Sequence, residues 1–132
     1  MIFVDSGAWY ASIVTEDPDH ARAVAWRATN RQSLITTDYI IDETLTLLRS
    51  RGEPMRARAF GRLAFGSKPP FRLYYLTPDD IRAAWGVFER FADKEWSFTD
   101  CTSKVVIERL GLDRAFAFDQ HFRQFGTVAV VP

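Results

Sequence analysis

Five short runs rich in apolar residues, MIFV, SLIT, FRLYYL, AFAF and TVAVV, recur along the chain, and longer stretches of helical character separate most of them. Apolar runs this short are too brief for buried helices and, when bounded by turn or capping residues, read as strands buried on both faces. Strands joined through helices do not pair as hairpins, because a helical crossover returns the chain to the same end of the sheet and lets the next strand run parallel to the last. The expected architecture is therefore α/β. It is a three-layer sandwich in which a central, mainly parallel five-stranded sheet is flanked by helices. No repeat, low-complexity tract or linker interrupts residues 1–132, which are read as one domain.

The stretches between the strands carry their own punctuation. Ser6 can cap a helix through SGAWYASIV, and Asp17-Pro18 sets a capping residue before a proline for a second helix through about Ala28. Asp38 to Arg51 reads as a long helix closed by Gly52, and Pro54 to about Phe65 as another that ends at the loop GSKPP. Thr77-Pro78 starts a helix through about Phe91, a helix containing Asp100 runs to Gly111, and HFRQ makes a short turn before the last strand.

Composition narrows the function classes. The chain is 47% hydrophobic, with 11 Phe and 4 Trp, which is enough to build a core at this length. No apolar run approaches the roughly 18 residues of a membrane span, and Asp5 interrupts the N-terminal run before a signal-peptide core could form. A cytoplasmic protein without membrane contact is expected. The single cysteine, Cys101, has no partner for a disulfide or a zinc site and reads as a small buried hydrophobe. Net charge is zero, yet Arg49, Arg51, Arg56, Arg58, Arg62, Lys68 and Arg72 face only Glu53 among acids in that segment. This local positive patch is either a solvated helix face and loop or a phosphate-binding surface, with Arg58 and Arg62 one helical turn apart.

Four carboxylates stand where chemistry could use them. Asp5 and Asp119 each follow an apolar run, and in an open parallel sheet the functional crevice lies beyond the carboxyl ends of the strands. At about 100° per residue, Glu43 borders the apolar arc of its helix beside Leu47, whereas Asp42 falls on the polar side. Asp100 lies in a helical first turn, where the macrodipole favours an acid. With Lys104 and Glu108 it forms a narrow polar strip that a surface ladder of ion pairs would also explain. Gathered at one rim, such acids repel by roughly 4 kcal/mol per pair at about 4 Å and an effective dielectric near 20. Either their pKa values rise or a cation joins them. Oxygen-only ligands favour Mg²⁺ or Mn²⁺, and the chemistry implied is hydrolysis of a phosphodiester by a metal-activated water.

The segments FVDSGAWYA, ITTDYIIDETLTLLR, DKEWSFTDCTSKVV and FAFDQHF, in this order and spacing, resemble the PIN-domain family, in particular its short ribonuclease toxins of VapC type. The resemblance spans essentially the whole chain. It implies a Mg²⁺- or Mn²⁺-dependent endoribonuclease with Asp5, Glu43, Asp100 and Asp119 as metal ligands and catalytic centre. Ser6 and Thr99 match small hydroxyl positions beside two of these acids, and Asp93 falls where the family is often acidic. The resemblance also implies a homodimer and a small antitoxin protein that inserts a basic side chain toward the acids.

Other functions leave different signatures. Metal-free RNA cleavage would need a histidine acid and base, but His20 and His121 have no evident partners in the sequence. A phospho-receiver domain would want paired acids after the first strand and a late lysine; here Asp5 is followed by Ser6, and no lysine follows Lys104. A non-catalytic RNA-binding module would rely on the 49–72 segment alone, with Arg49, Arg51, Arg58 and Arg62 on the RNA, and would be indifferent to chelator. The RNA cleaved, its sequence preference and the number of ions are not written in the sequence.

Overall fold

The computed structural model describes residues 1–132. All five expected strands form, as β1 (Ile2–Val4), β2 (Leu34–Thr37), β3 (Arg72–Tyr74), β4 (Arg114–Phe116) and β5 (Ala129–Val131). They join in one sheet of order β3-β2-β1-β4-β5, and every pairing is parallel. The most apolar run, IFV, takes the central position, with two strands on either side of it, and is buried throughout. Thr36 Oγ1 donates to Val4 O (2.9 Å) and the Trp9 indole reaches Thr36 Oγ1 (3.3 Å), which ties the first two strands to the helix above them.

Seven helices cover the sheet: α1 (Ser6–Ile13), α2 (His20–Thr29), α3 (Asp38–Ser50), α4 (Pro54–Ala64), α5 (Pro78–Arg90), α6 (Phe98–Arg109) and α7 (His121–Gln124). Helix α3 packs on α1, α4 and α6, and α5 packs on α6. The core runs through both layers, from Phe3, Ile35 and Phe116 in the sheet to Ile41, Leu48, Val106 and Phe122 in the helices. Helix α3 ends as expected at Gly52, whose φ of +76° is left-handed, so that Glu53 N–H can return to Leu48 O (2.9 Å).

Three local expectations shift. Ser6 does not cap α1 but is its first residue, with Asp5 at the N-cap position and no side-chain capping bond. Helix α2 starts at His20 rather than at Pro18, because Asp17 Oδ1 accepts from Asp19 N–H (2.8 Å) and closes a turn first. Strand β4 stops at Phe116, leaving Asp119 on the loop beyond it rather than at the strand end itself.

Candidate active site

Strand order reverses about β1, with β2 on one side and β4 on the other, so chain segments diverge beyond the carboxyl ends of β1 and β4. Asp5 follows β1 directly, and its N–H is held by Phe116 O (3.1 Å). Because α1 begins at the next residue without using the Asp5 carboxylate as a cap, that side chain is left for the crevice. It is buried, and its Oδ1 has no hydrogen-bond partner within the protein. A buried carboxylate oxygen left alone costs on the order of 1–3 kcal/mol or more, so an unseen partner is called for.

Asp100 is positioned by the start of α6. Ser97 Oγ accepts from Asp100 N–H (3.0 Å), and Asp100 Oδ2 accepts from Ser97 N–H (3.0 Å), a reciprocal capping box. The same Oδ2 accepts from His121 Nδ1 (2.9 Å), so Oδ1 is the oxygen left for the crevice. The expected ladder of Asp100, Lys104 and Glu108 breaks in two. Lys104 pairs with Glu108, while Asp100 turns inward.

Glu43 enters from α3 at the edge of the core, as its helical phase requires, and accepts a hydrogen bond from Ser6 Oγ. Asp119 approaches from the β4–α7 loop, its Oδ1 accepting from His121 N–H (2.9 Å). Asp5, Glu43, Asp100 and Asp119 thus line one open crevice of about 410 Å³. Their fields are felt in their ionisation. Burial raises the Asp5 carboxyl well above the usual aspartate range, and the charges of Asp100, Glu43 and Asp119 add to the rise against the Ser6 amide. Burial also raises Glu43, with Ser6 opposing and Asp100, Asp119 and Asp42 reinforcing.

The remaining expectations divide. Ser6 is buried against Glu43, and Thr99 lies beside the neighbouring depression that it shares with Glu43. Asp93 is exposed, pairs with Lys94 (3.7 Å) and stays outside the crevice. Arg49, Arg58 and Arg62 line a groove between α3 and α4, whereas the Arg51 guanidinium stacks on the Tyr10 ring, 4.8 Å from its centroid.

Of the other residues lining the crevice, Gly7, Glu95 and Ser97 were not singled out in the sequence, and His121 was weighed there only as a histidine without a partner. His121 has the partners that the sequence did not reveal: besides Asp100, its Nδ1 lies 3.4 Å from Asp119 Oδ1. Asp100, Asp119 and His121 each offer a ligand atom, all within 4.8 Å of one another. The spacing Asp119-x-His121 hints at a shared turn, but Asp100 is 19 residues upstream of Asp119 and nothing local links the two.

The donor set suits a hard divalent cation. It is mostly carboxylate oxygens, one of them orphaned, with the His121 ring nitrogen beside them, and they converge where burial first and mutual repulsion second disfavour the charged forms. Asp5, Glu43, Asp100 and Asp119 all line the crevice and could each offer it an oxygen, and of these Asp100 and Asp119, with His121, bring their ligand atoms within 4.8 Å of one another.

Known proteins share this arrangement of elements. The PIN domain family model matches residues 2–128. The chain is 33% identical over 132 residues to a Mycobacterium tuberculosis protein named 23S rRNA-specific endonuclease VapC20, covering 100% of this chain and 99% of the relative. It is 30% identical over 124 residues to a VapC ribonuclease of Archaeoglobus fulgidus, covering 90% of this chain and 77% of the relative. The crystal structure of M. tuberculosis VapC20, described as a sarcin-ricin loop cleaving toxin, superposes with a TM-score of 0.92 at 32% identity over 100% of both chains. FitAcB from Neisseria gonorrhoeae shares the fold, with a TM-score of 0.72 at 17% identity over 100% of this chain and 97% of its own.

Proposed function

The chain belongs to the PIN-domain family, and from that premise we propose that it is a divalent-metal-dependent endoribonuclease, the toxin of a toxin–antitoxin pair. The observation that carries this reading is the meeting of Asp5, Glu43, Asp100 and Asp119 in one crevice, with Asp5 Oδ1 buried and unpartnered. A bound Mg²⁺ or Mn²⁺ supplies charge neutralisation on the attacked phosphate and lowers the pKa of a water.

The chain's own residues set the geometry. Ser97 and His121 fix one oxygen of Asp100 and leave the other for the crevice. Ser6 Oγ donates to Glu43, while the Asp5 backbone is placed by its N–H on Phe116 O and its O accepting from Trp9 N–H. Asp119 is the most exposed of the four and sits at the mouth, where incoming RNA and solvent meet. Hydrolysis by water leaves a 5′-phosphate and a 3′-hydroxyl. A histidine mechanism through the 2′-hydroxyl would instead leave a 2′,3′-cyclic phosphate.

The names of the relatives point to large ribosomal RNA, and within it the sarcin-ricin loop, as the first substrate to test. Cytoplasmic residence and a small antitoxin partner belong to this reading. No helix of the chain is long and apolar enough to cross a membrane. A homodimer is also part of it, supported by an exposed aromatic face: Trp85 and Phe88 stack at 6.0 Å on α5, and Phe88 meets Phe98 at 6.0 Å.

The deciding experiment is cleavage of a mixed RNA pool and of ribosomal RNA with Mg²⁺ or Mn²⁺, with the ends mapped. Asp100→Asn should lower the rate by about 10³-fold, the kinetic equivalent of several kcal/mol of lost charge stabilisation. Chelator should stop the wild type. Cyclic phosphate ends, or cleavage indifferent to both treatments, would reject the proposal.

A further inference from the structure

The acidic crevice does not end at the acids. Glu43 and Leu47 line it and also line a second depression of about 310 Å³; Thr46 and Ser50 line that depression and also a groove of about 620 Å³ between α3 and α4. Positions 43, 46, 47 and 50 fall on one face of α3, so the three hollows form a single trough along that helix. At 1.5 Å per residue, Ser50 lies about 10 Å along the axis from Glu43.

The far groove has the chemistry of a polyanion track. Its rim carries Arg49, Arg58 and Arg62, all exposed and none in an ion pair of the fold, whereas nearby Arg56 is engaged by Glu16 and Glu53. Its floor is Leu45, Ala57 and Gly61, a surface on which a base can lie while the rim holds phosphates. Between the acids and the arginines, Asp42 repels a phosphate, but with Thr46, Ser50 and Thr99 it offers acceptors to ribose hydroxyls.

We propose that the α3–α4 groove is the track for the RNA strand leaving the acidic centre, with Arg49, Arg58 and Arg62 holding phosphates of nucleotides that flank the scissile one. The proposal rests on the nuclease reading for its polarity, since the trough matters to catalysis only if cleavage occurs at the acids. Arg51, turned onto Tyr10, lies outside the track.

The test measures binding of a short fluorescein-labelled single-stranded RNA of mixed sequence by anisotropy, in chelator, across a salt series. The proteins are wild type, Arg58→Ala/Arg62→Ala, Arg58→Lys/Arg62→Lys and the exposed control Arg31→Ala. Each phosphate contact contributes about 0.7 to the slope of log K against log salt for single strands. The double alanine variant should therefore lose about 1.4 from that slope. The lysine variant should keep it, because charge and not packing is at stake, and the control should match wild type. With metal, kcat/KM of the double alanine variant should fall while kcat at saturating RNA is retained. An unchanged slope and unchanged kcat/KM would overturn the track, including the case in which an acidic peptide occupies the groove instead. If the slopes respond but no variant or wild type cleaves, the nuclease reading fails and the binding track survives.

Discussion

Asp5 is a residue whose environment opposes its own charge. Its folded carboxyl is raised above the unfolded value, so its contribution favours the folded state at low pH and is lost as pH rises through the raised pKa. Glu43 acts in the same direction. Cation-free protein should therefore gain stability as pH falls from neutral toward the ordinary aspartate value of 3.8. Asp5→Asn should raise Tm at neutral pH by about 2–4 °C, flatten this pH trend, and abolish the extra Tm that added Mn²⁺ gives the wild type. Scanning calorimetry with and without Mn²⁺ checks all three. A lower Tm for the cation-free variant would mean that the acid is held by contacts rather than strained by its neighbours.

Whole elements set the aim of these acids, and helix starts matter most. Ser97→Ala removes the cap of α6 and should cost about 1 kcal/mol, measured by urea unfolding. Because Ser97 is part of the box that holds Asp100, cleavage should fall by more than the small unfolded fraction explains. Helix α5 starts with an equivalent device that serves the fold alone. Burial would raise the Asp80 carboxyl, but the Thr77 amide, the Tyr74 hydroxyl, the Thr77 hydroxyl and Arg109 outweigh it and lower its pKa. This ties β3, α5 and α6 together. Its stabilisation is present above the ordinary value of 3.8 and is lost as pH falls through the depressed one, a window below that of Asp5. Asp80→Asn should cost about 2 kcal/mol at neutral pH and leave RNA cleavage per folded molecule unchanged. Urea titration and a cleavage assay separate the two effects.

Across the whole molecule, the acidic crevice, the arginine groove and the exposed aromatics of α5 occupy different regions of one small α/β body. Trp85→Glu places a charge in the aromatic face, so sedimentation should show wild type as a dimer and the variant as a monomer. A wild type that sediments as a monomer at micromolar concentration would remove the dimer from the functional reading.

Strand positions, helix order and the inward phase of Glu43 were legible in the sequence, because period, caps and glycines act over a few residues and do not depend on distant partners. The family pattern also marked Asp5, Asp100 and Asp119. Local chemistry could not tell whether Asp100 would join Lys104 and Glu108 on the surface or turn inward, because both arrangements satisfy the same helical spacing. Nor could it give His121 its partner, divide the basic segment so that Arg51 packs on Tyr10 while Arg49, Arg58 and Arg62 open onto a groove, or join that groove to the acids. Those outcomes were decided by tertiary structure, since they depend on how β4, α3, α6 and α7 meet at the reversal of strand order. That meeting brings together charges whose interaction falls with distance in space, whatever their separation along the chain.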